Sequence, residues 1–245
     1  FWLKPFAQTI VEEQGHKCRA VMVCAPEWSR GDGQCPHGAR IGLPGSDFTY
    51  PSQPTLMDSL AVVYAAMPFM VTVLLVVMLL VRRGLRECLL LILSPVLVDT
   101  LVTVVRIFVL DPRPEGSCLL SCGMPSAHAM KSTSLLTVFL LEEMSRGASS
   151  KNKAATSCVL LLIFAPVPWA GSMLKDHSMS QTVSSCVGGG VLGLLYFAFL
   201  RTWVTGHAVD LASKFHLWDN ISPSKSEYKP LGTDESEMAA FDDDI

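Results

Sequence analysis

Five apolar stretches separated by short polar ones set the pattern of the chain. Leu60 to Val81 runs for 22 residues without a charge, and a bilayer core needs about 20 apolar residues in helical form. That stretch predicts a membrane span. Cys88 to Leu110 is equally apolar except for Asp99 and Arg106, charges costly enough inside a span to imply interior or interfacial work. Asp99 is expected to be structural, a buried acid paired with a neighbour or kept protonated. Its spacing of seven from Arg106 puts both on one helix face, about 10 Å apart along the axis. Ala127 to Leu141 is shorter and opens with His128 and Lys131, so it needs neighbours to be stable. Ala154 to Leu174 and Val183 to Leu200 follow, the latter with Gly188, Gly189, Gly190 and Gly193, small residues that let membrane helices approach closely. The pattern predicts an all-α, multi-pass transmembrane bundle of about five spans. An amino-terminal segment covers 1–56, the core 57–204 and a tail 205–245.

Composition agrees. Of 245 residues 17% are charged and 50% hydrophobic, against about 25% charged in ordinary globular domains. From Thr205 onward there are nine acids and three bases, so an acidic tail follows a weakly basic body. The bases outside it fall in short clusters rather than one patch, which argues against a nucleic-acid partner. Arg82, Arg83 and Arg86 lie between the first two spans, Arg146, Lys151 and Lys153 between the third and fourth, and Arg201 after the fifth. The positive-inside rule makes these places cytosolic, and with them the tail. The amino-terminal segment and the loops 111–126 and 175–182 then share the opposite face. Five of eight cysteines (Cys18, Cys24, Cys35, Cys118 and Cys122) fall on that face, where an oxidising lumen permits disulfides. Five is odd, and both paired and fully reduced states stay open. The chain starts at Phe1 without a signal-type apolar core, so a natural amino terminus further upstream is expected. From Ser222 the tail reads as disordered, and its Tyr228-Lys229-Pro230-Leu231 run looks like a weak tyrosine-based sorting signal.

Three clusters at non-cytosolic span ends carry the candidate chemistry. Arg106 precedes Asp111-Pro112-Arg113-Pro114, where the prolines end the helix and leave Arg113 on an extended segment. Two guanidiniums converging at a membrane interface call for an anion between them, and their planar forks suit phosphate. Pro125-Ser126 marks a helix start at which Ser126 can cap, and helix starts favour phosphates. His128 falls in that first turn, placed like a general acid. His177, in Lys175-Asp176-His177, arrives from the other side as an acid, base or nucleophile. Taken singly, an interfacial arginine is usually a snorkelling anchor and a loop histidine usually solvated. Their coincidence on one face is what points to a site. No HxxxH or CxxC pair accompanies them, so neither a metal nor another cofactor is expected.

These residues resemble the phosphatidic acid phosphatase type 2 superfamily of membrane lipid phosphatases. Its KxxxxxxRP motif is matched by Arg106 through Arg113-Pro114, its PSGH motif by Pro125-Ser126-Ala127-His128, and its SRxxxxxHxxxD motif in part by His177 and Gln181. The likeness covers about Ser46 to Leu200. It is nearest to the dolichyldiphosphatases, through the acidic-Pro-Arg-Pro run, GMPSxH from Gly123 and HxxSQ from His177. The resemblance implies that His177 attacks phosphorus to give a phosphohistidine and that His128 protonates the departing oxygen. It further implies that Gln181 orients His177, while Arg106, Arg113, Ser126 and the Ala127 position hold phosphoryl oxygens. Arg106 replaces a lysine, Ala127 a glycine, and Gly171 the arginine of the third motif, whose preceding serine is Ala170. Losing a charged transition-state donor costs about 10² to 10³ in rate. Lys175 is the nearby cation expected to substitute.

The resemblance implies a hydrolase of the endoplasmic reticulum membrane that converts an isoprenoid (dolichyl) diphosphate to the monophosphate at the luminal face, in support of protein glycosylation. Phosphatidate, a phosphorylated sphingoid base and a sugar phosphate are other substrates of the same chemistry. The alternative is a catalytically silent relative, retaining the pocket for lipid binding or acting as a scaffold. Oligomeric state is not legible in the chain.

Overall fold

The computed structural model describes residues 35–44, 46–145 and 149–215, together with Cys24, Pro26 and Ser29. Cys18, Arg146 and the tail from 216, including the Tyr228 motif, lie outside the described residues.

The described chain is mainly helical. Helix α1 spans Leu56–Arg82 and starts on a reciprocal cap between Thr55 and Asp58. Helix α2 (Leu85–Phe108) winds through a π-helical stretch at Ile92–Val98 around Pro95, a residue that cannot donate to the regular ladder. Helix α3 is Ala127–Ser145. Helix α4 (Ser150–Met173) has Pro166 two residues past Phe164. Helix α5 (Met179–Phe199) continues through a π-helical turn into α6 (Thr205–Lys214).

Four helices are long and apolar enough to cross a membrane: α1, α2, α4 and the continuous stretch Met179–His207. Leu80, Val81, Phe108, Leu162 and Leu195 project outward from them, an apolar belt that suits lipid rather than water. Helix α3, the expected third of five spans, is not among the four. Serines, threonines and Lys131 dilute its apolar character, and they are accommodated because α3 is wrapped by neighbours: Lys131, Ser132 and Ser134 are all buried. Its closest partner is α5. A Cβ on Gly189 would stand 2.5 Å from the Met130 carbonyl, and one on Gly193 2.7 Å from that of Ser134. Of the four glycines in the stripe, these two set the approach; Gly190 faces open space. Lys131 Nζ meets Asp99 Oδ1 at 2.8 Å, so Asp99 is paired with a neighbour.

The expectation of an all-α chain needs one correction. Residues Gly38–Leu43 (β1) and Ser46–Pro51 (β2) form an antiparallel hairpin, inside the segment expected to be a plain amino-terminal extension. A two-stranded ribbon is marginal alone; this one is held from outside. Phe48 is buried with Ala61 and Ala65 of α1 and Ala170 and Leu174 at the end of α4. Disulfides Cys35–Cys118 and Cys24–Cys122 tie the segment to the loop after α2. Four of the five face-sharing cysteines are thus paired, and Cys88, Cys158 and Cys186 are free.

Candidate functional site

Five chain segments meet at the end of the bundle where the hairpin sits: the exit of α2, the loop 111–126, the start of α3, the turn between α4 and α5, and β2. Arg106, in the last turn of α2, donates from Nη2 to the Pro125 carbonyl at 3.0 Å, leaving its buried Nε without a protein acceptor. Arg113 spans the opening. Its Nε and Nη2 donate to the Ser121 carbonyl (2.8 Å) and hydroxyl (3.0 Å), and its Nη1 to the Asp176 carbonyl at 2.7 Å. The same Nη1 lies 3.2 Å from His177 Nε2.

The other ring nitrogen fixes the state of His177. Nδ1 is 2.8 Å from the Gly123 carbonyl, an acceptor only, so Nδ1 carries the hydrogen and Nε2 presents its lone pair to Arg113. Burial, then Arg113, His128 and Arg106, hold this imidazole well below the ordinary histidine range, with the Gly123 bond opposing them. It is neutral at neutral pH. Burial, then Arg106, pull the Arg113 guanidinium down to about 9. These are the marks of cations and imidazoles gathered around a place where negative charge belongs.

Ser126 caps α3 as its position predicts: its Oγ accepts from Ala129 N–H at 3.4 Å, and its own N–H donates to Ser185 Oγ at 2.7 Å. The first intrahelical bond runs from Met130 to Ser126, so the amides of Ala127 and His128 precede the ladder and have no partner within it. His128 Nε2 lies 2.7 Å from Ser46 Oγ on β2. Among the described residues no three His, Cys, Asp or Glu gather in a metal-holding group.

Two expected roles change. Gln181 does not bond to His177: its amide nitrogen donates to Asp111 Oδ2 and the Pro112 carbonyl, each at 2.8 Å, and its Oε1 accepts from Ser178 N–H. It acts one step back, beneath Gly123, where a Cβ would stand 2.5 Å from Gln181 Nε2. The Gly123 carbonyl is what orients the imidazole. Ser178-Met179-Ser180-Gln181 is a capping box at the start of α5, legible in the chain as a serine followed three residues later by glutamine. Lys175 is exposed, its stem lies over Gly116 and its charge interacts with Asp58. It is not among the charges acting on Arg113 or His177, so the substitute cation expected there is not brought into the cluster. Gly171 is: a Cβ on it would stand 3.4 Å from His177 Cδ2.

Several residues without a motif complete the site. Asp176 is buried, accepting from Thr49 N–H (2.9 Å), Thr49 Oγ1 (2.5 Å) and Ser117 Oγ (2.8 Å). Burial raises its carboxyl, against the bonds from Thr49, the charge of Arg113 and the Ser117 bond. It ties the hairpin and the 111–126 loop to the residue before His177. Asp47, paired with Arg40 across the hairpin, contributes a negative charge felt by both arginines. Comparison with protein families, curated proteins and solved structures gives no match for this chain.

Proposed function

We propose that this chain is a membrane lipid phosphatase that removes one phosphate from a polyprenyl diphosphate of the dolichyl type, with its site on the luminal face of the endoplasmic reticulum and the chain crossing the membrane about five times. The observation that carries the reading is the imidazole of His177, neutral, with its Nε2 lone pair held 3.2 Å from Arg113 Nη1 and flanked by Arg106 and His128. A phosphoryl group entering between them takes over the Arg113 N–H, leaving Nε2 free to attack phosphorus. Arg106, Arg113 and the amides at the start of α3 stabilise the charge that develops on the oxygens. His128 supplies the proton for the leaving oxygen, and water later releases phosphate from His177. The isoprenoid stays among the lipid while its charged head reaches the arginines.

The test is phosphate release from dolichyl diphosphate by purified protein in detergent, with chelator present, beside a His177→Ala control. Brief incubation with labelled substrate and an alkaline quench should trap acid-labile phosphate on His177. Equal release by wild type and His177→Ala, or label that survives the substitution, would reject the assignment.

Gly171 favours a second reading, a catalytically silent relative that binds a lipid headgroup or serves as a scaffold, because no side chain occupies the place beside His177 where the resemblance puts an arginine. In that case wild type releases no phosphate and still binds pyrophosphate.

A further inference from the structure

Ser46 lies 82 residues from His128 in the chain and belongs to none of the three clusters. It is buried at the start of β2. Its Oγ donates to the Ala65 carbonyl of α1 at 3.0 Å and stands 2.7 Å from His128 Nε2. A hydroxyl has one hydrogen. With that hydrogen on Ala65, Ser46 faces the ring as an acceptor, so Nε2 must carry a proton of its own. The bond at one ring nitrogen decides what the other is free to do. We propose that Ser46 is the positioning residue of His128: it holds Nε2–H and leaves Nδ1 as the nitrogen that exchanges a proton at the phosphate site. The inference rests on the hydrolase reading above.

The proton traffic closes on itself. With the diphosphate bound, whose negative charge favours the charged form, His128 takes up a proton at Nδ1 while its Nε2–H stays on Ser46. As the bond from His177 Nε2 to phosphorus forms and the bond from phosphorus to the leaving oxygen breaks, that oxygen takes the Nδ1 proton. Water then adds to phosphorus and its proton passes to Nδ1. The nitrogen–phosphorus bond breaks with its electron pair returning to His177, inorganic phosphate departs, and His128 is again the imidazolium.

The hairpin is built to hold Ser46 in this place. Side chains alternate along a strand, so Ser46 and Phe48 share one face while Thr49 takes the other. Phe48 packs against Ala61, Ala65, Ala170 and Leu174. On the opposite face Thr49 bonds to Asp176 through both its N–H and its hydroxyl, and its Oγ1 accepts from Cys118 N–H at 2.9 Å. A slip of one residue would turn Ser46 away from His128, and both faces oppose it.

The experiment uses the full chain in detergent, labelled with 15N-histidine, as wild type, Ser46→Ala and Ser46→Thr. Wild-type neutral His128 should show the Nε2–H tautomer, Ser46→Ala a mixture, and Ser46→Thr, which keeps the hydroxyl, the wild-type form. On a polyprenyl diphosphate the leaving group is a phosphate monoester that needs little acid assistance, so Ser46→Ala should still form the phosphohistidine and be slow to hydrolyse it. The expected result is turnover lower by about tenfold or more, with a higher steady-state level of labelled His177, both restored in Ser46→Thr. Turnover and label falling together would mark a merely structural residue and overturn the proposal, as would an Nδ1–H tautomer in wild type or Ser46→Ala turning over like wild type. A wild type that releases no phosphate overturns the hydrolase reading itself, and with it the proton exchange assigned to Nδ1.

Discussion

Arg113 is bound to protein through three nitrogens, and burial beside Arg106 brings its guanidinium down to about 9. An anion that depends on this charge should bind with constant affinity below that value and weaken as pH rises through it, since the group that attracts it is losing its proton. A bound anion favours the charged form, so the break in the complex should sit at higher pH than in the free protein. Competition by inorganic pyrophosphate across pH 7 to about 10 reads both effects. Gly171 gives a prediction of opposite sense. A side chain begun there meets only the edge of His177 at 3.4 Å, so Gly171→Arg should fold with a small adjustment and add a third cation, tightening pyrophosphate binding by about tenfold or more. Lys175→Ala should leave binding within about twofold, as expected of an exposed residue outside the cluster. Binding weakened well beyond that in Lys175→Ala would return that lysine to the site.

Between elements, the contact of α3 with α5 decides whether the site has a floor. Gly189→Ala would drive a methyl to 2.1 Å from Thr133 Oγ1 and 2.5 Å from a backbone carbonyl that cannot yield, so the helices must separate, at a cost of about 1–3 kcal/mol. Gly190→Ala meets nothing within 4 Å and should be neutral, or stabilising by up to about 1 kcal/mol. Thermal unfolding of the two variants in detergent separates a packing surface from a general dislike of side chains in this stripe. The stripe itself is visible in the chain, as are the apolar runs and the Ser126 cap, because each is a property of one segment. The hairpin is not visible in that way. Ile41, Leu43, Phe48 and Tyr50 do alternate around Pro44-Gly45, the pattern of a ribbon, but its stability comes from Asp176, Phe48's neighbours and the disulfides, all distant in sequence. Gln181 is a related case: its spacing from His177 matches a motif, but its bonds go to Asp111 and Pro112 and it reaches the imidazole only through Gly123.

At the scale of the whole molecule, the basic loops and the site occupy opposite ends of the bundle. Arg86 pairs with Glu142 near one end, and Arg113 meets His177 at the other. Tags after Arg83 and at Ile245 should both be cytosolic, and one in the turn around Pro44 luminal. A luminal carboxy terminus would overturn the five-span arrangement. Cys24, Cys35, Cys118 and Cys122 should resist an impermeant maleimide until reduced, while reduction frees the hairpin's tether and costs about 2–4 kcal/mol for each bridge. The meeting of the three clusters was legible because span counting and charge bias together assign them a face. Which atoms meet was not: the partners of His177 and His128 are a backbone carbonyl and a strand serine, groups that carry no mark in a sequence.

The polar character of α3 also bears on the order in which the protein is made. Its buried Met130 and Ser134 pack on Gly189 and Gly193 of α5, yet the ribosome delivers α5 last among the long helices. Until Gly189 and Gly193 arrive, this segment has a carboxylate for its lysine on α2 but no lining for much of its length, and the bilayer gives it little reason to enter. A chain cut after Leu174 should therefore leave residues 127–145 open to protease, whereas one extended through Leu200 should protect them. The segment that begins with Ser126 and His128 would then settle into place only when synthesis of the core is nearly complete, so a chain cut after Leu174 carries Arg106, Arg113 and His128 without ever assembling them around a phosphate.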